Sequence, residues 1–259
     1  MNKFATPTAS SSARAVAAVV FDYGGVMTTP MRGSINAGLV HDGIDRISFT
    51  TALRSWLSRS APNGTPIHRL ETGELDPVEF EHLLAAELRS LDGSPVDPAG
   101  LLRRLFAQMT PEPTMFKLVA DLRAAGVRVA LLSNSWGNAY PREELDVMFD
   151  AVVISAEVGL RKPQPAIYRI VLDRLGLPAA GAVFIDDAEP NLIGAAEVGL
   201  DTLLHTSATV TRSLLARHIP ALDSTVDAAR PEDGLTGTVA TTIRSPRPDH
   251  GRPTAATTS

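Results

Sequence analysis

Cysteine is absent from the 259-residue chain, which excludes disulfides, thiolate metal sites and a cysteine nucleophile together. An excess of positive charge is missing as well: 24 Lys+Arg stand against 29 Asp+Glu, a net charge of −5. A chain without a basic field has little electrostatic means of holding nucleic acid, so no nucleic-acid partner is expected. No apolar run reaches the ~18 residues that a spanning helix needs, and no membrane role is expected. The N-terminal stretch has some basic and apolar character, but it runs straight into Asp22 without a small-residue cleavage pattern. It therefore reads as an unstructured arm followed by a strand, and the protein as soluble and cytoplasmic. There is no internal repeat.

What is present is a chain with 44% hydrophobic residues, long enough for one large α/β domain or for a core with a smaller companion. Both ends, residues 1–13 and 223–259, have too few large apolar side chains to offset the entropy of ordering and read as disordered. Between them, short apolar runs alternate with amphipathic segments. The runs are Val16–Phe21, Val127–Leu132, Ala151–Ile154, Ala182–Ile185 and Thr202–Leu204. Consecutive Val, Ile, Leu and Ala are what parallel strands covered on both faces require. Met115, Leu118, Val119 and Leu122 follow a helical stripe that Gly126 ends; Ile167, Ile170 and Val171 mark a helix ended by Gly176. Another helix opens at Pro190 and stops at Gly199. Strand–helix alternation of this kind predicts a doubly wound, Rossmann-like parallel sheet, with core residues 14–30 and 111–222. Residues 31–110 break the alternation. They show helices only, one opening at Asp76-Pro77 with Phe80, Leu83, Leu84 and Leu88 on one face. Another opens at Asp97-Pro98 with Leu101, Leu105 and Met109 as its stripe. An inserted helical cap over the carboxyl edge of the sheet is expected.

Ligands of open α/β sheets bind beyond the carboxyl ends of the strands. Those ends carry Asp22-Tyr23-Gly24-Gly25, then Ser133-Asn134-Ser135, then Arg161-Lys162-Pro163 after the third strand, then Asp186-Asp187. Carboxylates, a hydroxyl with an amide, and an ammonium on one rim are the parts of phosphoryl transfer through a covalent aspartyl-phosphate. A carboxylate attacks phosphorus, Mg²⁺ on hard oxygen ligands offsets the repulsion of two anions, and a hydroxyl and a lysine hold the phosphoryl oxygens.

Four segments, VVFDYGGVM (19–27), LLSNS (131–135), GLRKPQPAIY (159–168) and VFIDDAEPNLIGA (183–195), resemble in order the four motifs of the haloacid dehalogenase superfamily. Any one of them is weak; four in order are specific. The D-x-G-G start and helical cap resemble the branch of glucose-1-phosphate phosphatase and of the phosphatase-like domains of epoxide hydrolases and acyl-CoA dehydrogenase fusions. The resemblance implies Asp22 as nucleophile and Lys162 as the residue neutralising nucleophile and phosphoryl group. It implies phosphate binding by Ser133, Asn134, Lys162 and Gly25. It implies Mg²⁺ held by Asp22, the Gly24 carbonyl, Asp187 and Asp186, and a small phosphorylated metabolite as substrate.

One departure stands out. Most phosphatases of the family carry an acid–base Asp two residues after the nucleophile, where this chain has Gly24. Its absence favours a substrate with an easier leaving group, such as a sugar 1-phosphate, because general acid–base help is worth roughly 10²–10⁴ in rate. Two other readings remain open at this point. A 2-haloacid dehalogenase shares the nucleophile but has no use for the paired acids Asp186-Asp187. A non-catalytic or phosphotransferring member is favoured by Gly24. The plainer readings are a polar strand end for Asp22, a turn for Ser133-Asn134 and a solvated loop for Arg161-Lys162. His41, His68 and His205 read as scattered, Tyr23, Trp56 and Trp136 as packing residues, with Trp136 able to wall the site. The His68–Glu74 segment reads as cap structure without substrate contact.

Overall fold

A computed structural model describes residues 15–57, 64–137 and 140–223. The expected disorder of the two ends lies, except for Asp223, outside the described residues. Five parallel strands, β1 (Ala18–Phe21), β2 (Arg128–Ser133), β3 (Ala151–Ile154), β4 (Ala182–Asp186) and β5 (Asp201–Leu204), form one sheet in the order β3-β2-β1-β4-β5. The chain moves outward from β1 to β3 and then crosses back to β4, so the topological switch point lies between β1 and β4. Side chains alternate across the sheet. Val19, Phe21, Val129, Leu131, Val183 and Ile185 face one hydrophobic layer; Ala18, Val20, Ala130, Leu132, Ala182 and Phe184 face the other. This period of two, with both faces apolar, is why the strands read as continuous hydrophobic runs.

Five helices, α1 (Met31–His41), α2 (Arg46–Leu57), α3 (Pro66–Glu71), α4 (Pro77–Glu87) and α5 (Leu101–Leu105), form the cap between β1 and β2. Asp76 caps α4 by accepting from the Val78 N–H at 2.8 Å, with Pro77 in the first turn. The cap has its own core, including Leu39, Ile67, Phe80, Leu84 and Leu105. Its two connections to the sheet pair with each other: the Thr29 N–H donates to Thr110 O at 2.8 Å and the Glu112 N–H to Met27 O at 2.9 Å. Around the sheet run α6 (Pro113–Ala124), α7 (Arg142–Met148), α8 (Ser155–Val158), α9 (Pro165–Leu175), α10 (Glu189–Glu197) and α11 (Ala208–Ala216). No described helix is long and apolar enough to cross a membrane.

Several expectations need correction. The first strand starts at Ala18, not Val16. β5 is an edge strand whose residues are largely exposed, not covered on both faces, since β4 is its single neighbour. Leu83 is 38% exposed and so does not belong to the buried face of α4. The helix expected from Pro98 to Met109 is confined to Leu101–Leu105, because Gly100 at its N-terminal boundary has a left-handed backbone, φ 66°.

One close approach fixes the site geometry. A Cβ built on Gly194 of α10 falls 2.5 Å from Pro163 O, so this helix seats directly on the turn that carries Lys162. Gly194→Ala is expected to destabilise the fold by about 1–3 kcal/mol through overpacking, read as a lower urea midpoint at unchanged slope. An unchanged midpoint would show that α10 does not bear on this turn.

Candidate active site

The rim at the switch point brings Asp22, Gly24, Ser133, Asn134, Lys162 and Asp187 together around one cavity of about 630 Å³, whereas Gly25 and Asp186 are not in its lining. Asp22 leaves the end of β1, and Asp186 and Asp187 leave the end of β4, its neighbour in the sheet. Lys162, on the turn after α8, reaches between them and is 1% exposed. Its Nζ lies 2.7 Å from Asp22 Oδ1 and 2.7 Å from Asp186 Oδ2, and 5.4 Å from the centre of the Phe184 ring. Burial pulls the ammonium toward neutrality, but the two carboxylates outweigh it and hold its pKa above the usual lysine value.

Asp22 experiences the opposite balance. Loss of water raises its carboxyl to about 7; Lys162 opposes that rise, while Asp186 and Asp187 add to it. Its Oδ1 accepts from the Tyr23 N–H at 2.7 Å and from Lys162. Among the described residues Oδ2 has no hydrogen-bond partner, and Asp22 lines the cavity. That is the free oxygen.

Asp186 is fully buried and saturated. Its Oδ1 accepts from the Ala188 N–H at 2.8 Å, and the Asn191 amide donates to both of its oxygens at 3.0 Å. Asp187 is exposed and lines the cavity. One oxygen from each of Asp22, Asp186 and Asp187 lies within 4.8 Å of the others. This donor set suits a hard divalent cation. With Asp186 held by three protein groups, the open ligand atoms come from Asp22 and Asp187. Gly24 also lines the cavity. Gly25, at φ +81°, lies so close to Asp187 that a Cβ would fall 2.5 Å from its Oδ2, so the backbone turn demands glycine twice over.

The expected phosphate-binding groups divide by partner. Ser133 is buried, and its Oγ is 2.9 Å from Tyr140 Oη. Asn134 uses its side chain to clamp the Lys162 backbone: Oδ1 accepts from the Lys162 N–H at 2.8 Å and Nδ2 donates to its carbonyl at 3.1 Å. Ser133 and Asn134 both line the cavity. Gly25 does not present a spare donor, because its N–H is engaged by Thr28 Oγ1 at 3.1 Å.

Sequence reasoning missed a second group. Glu71 of α3, 4% exposed, accepts from Trp136 Nε1 at 3.1 Å and pairs with the Arg161 guanidinium; its backbone carbonyl accepts from Ser155 Oγ. Burial raises Glu71, with Arg161 opposing. This ties the cap to the rim beside Lys162, and both Glu71 and His68 line the cavity, which corrects the reading of that segment as cap structure alone. The Glu-x-Gly-Glu turn held the signal for Glu71. Nothing in the sequence marked Tyr140. His41 is surface-exposed beside Asp42, and His205 pairs with Thr211, so neither joins the site. Tyr23 packs against Tyr140 and Trp56 against Phe80.

The family model for haloacid dehalogenase-like hydrolases matches residues 16–199. The chain belongs to that family. Its relatives include the mouse acyl-CoA dehydrogenase family member 10, 28% identical over 74% of this chain but over only 18% of that protein's length. A sesquiterpene phosphatase of Aspergillus oryzae is 31% identical over 53% of this chain and 71% of its own. A phosphatase of Mycobacterium tuberculosis is 27% identical over 83% and 99% respectively. Among solved structures, a family enzyme from Bacteroides thetaiotaomicron shares the fold with TM-score 0.60 at 21% identity, covering 78% of this chain and 99% of that one.

The charge balance of the hydrolase generates a stability test. Below the ordinary carboxylate pKa, Asp22 is protonated in both folded and unfolded chains. As pH rises toward 7 the unfolded chain ionises first, so the raised folded value of about 7 makes the metal-free protein lose stability over that window. In chelator at pH 8, Asp22→Asn is expected to exceed the native chain in stability by at least about 1 kcal/mol, with a shallower decline from pH 4 to 7. Equal or steeper decline in the variant contradicts the desolvation argument.

Proposed function

We propose that the hydrolase is a Mg²⁺-dependent phosphomonoesterase that acts on a small phosphorylated metabolite through an aspartyl-phosphate at Asp22. The observation that carries this reading is the asymmetry of Asp22, a residue that lines the cavity: one oxygen is held by Lys162 and the Tyr23 N–H, and the other has no hydrogen-bond partner among the described residues. The fixed oxygen orients the carboxylate, and the free Oδ2 is aimed to bond phosphorus while the phosphorus–ester oxygen bond breaks. The departing oxygen keeps the electron pair and takes its proton from solvent. Water then attacks phosphorus, the acyl-phosphate bond breaks, and Asp22 is regenerated with inorganic phosphate.

Lys162 spreads positive charge over the attacking carboxylate and the phosphoryl oxygens, and Asp186 keeps that ammonium in place. Ser133 offers its hydroxyl to a phosphoryl oxygen, with Tyr140 setting its orientation. Mg²⁺, which Asp22, Asp187 and the Gly24 carbonyl would hold, lowers the repulsion between the carboxylate and the phosphate dianion when bound. The Bacteroides enzyme that shares this fold has itself been solved with magnesium and inorganic phosphate. A leaving oxygen more acidic than an ordinary alcohol meets the demand that Gly24 imposes.

Phosphate release from a panel of phosphomonoesters tests the reading. Asp22→Asn is expected to lower release by at least roughly 10³-fold, as loss of a covalent nucleophile does. Asp187→Asn is expected to raise the Mg²⁺ concentration for half-maximal rate by about tenfold or more. Metal-independent release, or full turnover by Asp22→Asn, contradicts the proposal.

A further inference from the structure

The cavity walls narrow the substrate class. Beyond the rim, its surface comes from Met31 and Leu57 of the cap, Trp136, and Pro190 and Ile193 of α10. Leu57 is 44% exposed and Ile193 47% exposed, large apolar side chains left open at a cavity where burial would stabilise them. A small adjoining pocket continues past Gly24 and Met31 and is lined by Tyr23, Phe106, Met109 and Tyr140. The same walls also carry His68, Glu71, Arg161, Asn191 and Glu197. Glu71 and Arg161 satisfy each other, and Glu197 is exposed. His68 is held below its usual pKa by burial and by Arg161. His68 and Glu197 could meet some hydroxyls of a polyol, and each further hydroxyl left unmet against the apolar wall would cost binding.

A second observation bears on the leaving group independently. A Cβ on Gly24 would lie 3.0 Å from Met31 Sδ. The position next to the nucleophile thus holds a thioether, and a carboxylic acid there would have to displace it. The wall nearest the breaking ester bond contributes no proton donor from this residue pair, so the leaving oxygen must depart with little help. Phenols, which ionise near pH 10 as tyrosine does, leave far more readily than simple alcohols.

Building on the phosphomonoesterase reading, we infer that the substrate is a phosphate monoester of an apolar, phenol- or enol-type hydroxyl, its hydrocarbon part lying against Met31, Leu57, Trp136 and Ile193. The organic part enters under the cap, and the phosphate meets Lys162 and Ser133. Desolvation of a flat apolar group against Trp136 and Ile193 supplies the binding energy, while leaving-group acidity supplies what Gly24 cannot.

Initial rates with Mg²⁺ for four esters separate these features. 2-Naphthyl phosphate and O-phosphotyrosine have phenolic leaving groups of similar acidity but opposite polarity. Cyclohexyl phosphate is apolar with a poor leaving group, and glucose 1-phosphate is polar with a good one. The expected kcat/KM for 2-naphthyl phosphate exceeds that for O-phosphotyrosine and for glucose 1-phosphate by at least roughly tenfold, and Leu57→Asp or Ile193→Asp reduces that ratio about tenfold. The expected kcat for cyclohexyl phosphate is at least roughly 10²-fold below that for 2-naphthyl phosphate. A preference for either polar ester, a ratio unmoved by both variants, or comparable kcat for the cyclohexyl ester overturns the inference while leaving the phosphomonoesterase reading intact. If no ester is hydrolysed, that underlying reading fails. The thermal shift with Mg²⁺ then decides the apolar site alone: 2-naphthylmethylphosphonate stabilising the protein more than inorganic phosphate supports it, and equal stabilisation overturns it.

Discussion

The ammonium of Lys162, 1% exposed and 2.7 Å from a carboxylate oxygen on either side, is the interaction around which this hydrolase is arranged. Three charges are withdrawn from water in the floor of one cavity, a cost that burial alone would not repay. It is offset because every group has more than one partner. Asp186 is held by Asn191 and the Ala188 N–H, the Lys162 backbone is gripped by Asn134, and the turn beneath is pressed by Gly194 of α10. Removing Lys162 or Asp186 from this buried set leaves an unpaired charge, typically at about 3–5 kcal/mol. The group that gains least is Asp22. Burial raises its pKa, and the neighbouring carboxylates Asp186 and Asp187 add to the rise against the pull of Lys162. A carboxylate that is costly in the resting protein, relieved when a cation or an electrophilic phosphorus arrives, is well placed to react.

The sheet supplies the registration this requires. β1 and β4 are adjacent parallel strands with Phe21 opposite Ile185, so the next residues, Asp22 and Asp186, emerge together at the switch point. The cap contributes differently. It supplies Met31, Leu57, His68 and Glu71 to the cavity wall, and the Glu71–Arg161 pair and the Trp136 indole tie it to the rim within one residue of Lys162. Cap position and Lys162 are mechanically linked through adjacent residues of the chain.

The core was legible because its signals are local. Runs such as AVVF and AVVI, covered on both faces, read as strands without knowledge of partners, and glycines at 126 and 176 mark helix ends through backbone geometry alone. The four motifs located the rim for the same reason: three sit at strand ends, and the segment carrying Lys162 follows the short α8 that leaves β3. Features that depend on partners distant in sequence were not legible. The exposure of β5 follows from its place at the sheet edge. The division of labour between Asp186 and Asp187 follows from Asn191 and Lys162, which saturate the first and spare the second. Glu71 could be seen as part of a turn, but its salt bridge to Arg161 spans 90 positions. Spacing could not reveal that Met31 fills the ground beside Gly24.

The most direct test of the central claim, that the free oxygen of Asp22 forms the covalent bond, is to mix the Mg²⁺-loaded enzyme with a phosphate ester labelled in its phosphoryl group. Acid quenching within the first turnover, borohydride reduction and peptide mapping then locate the modified residue. The account predicts an acyl-phosphate that reduction converts to homoserine at position 22, and no label in Asp22→Asn. Label on any other residue, or first-turnover phosphate release by Asp22→Asn at the native rate, would contradict it.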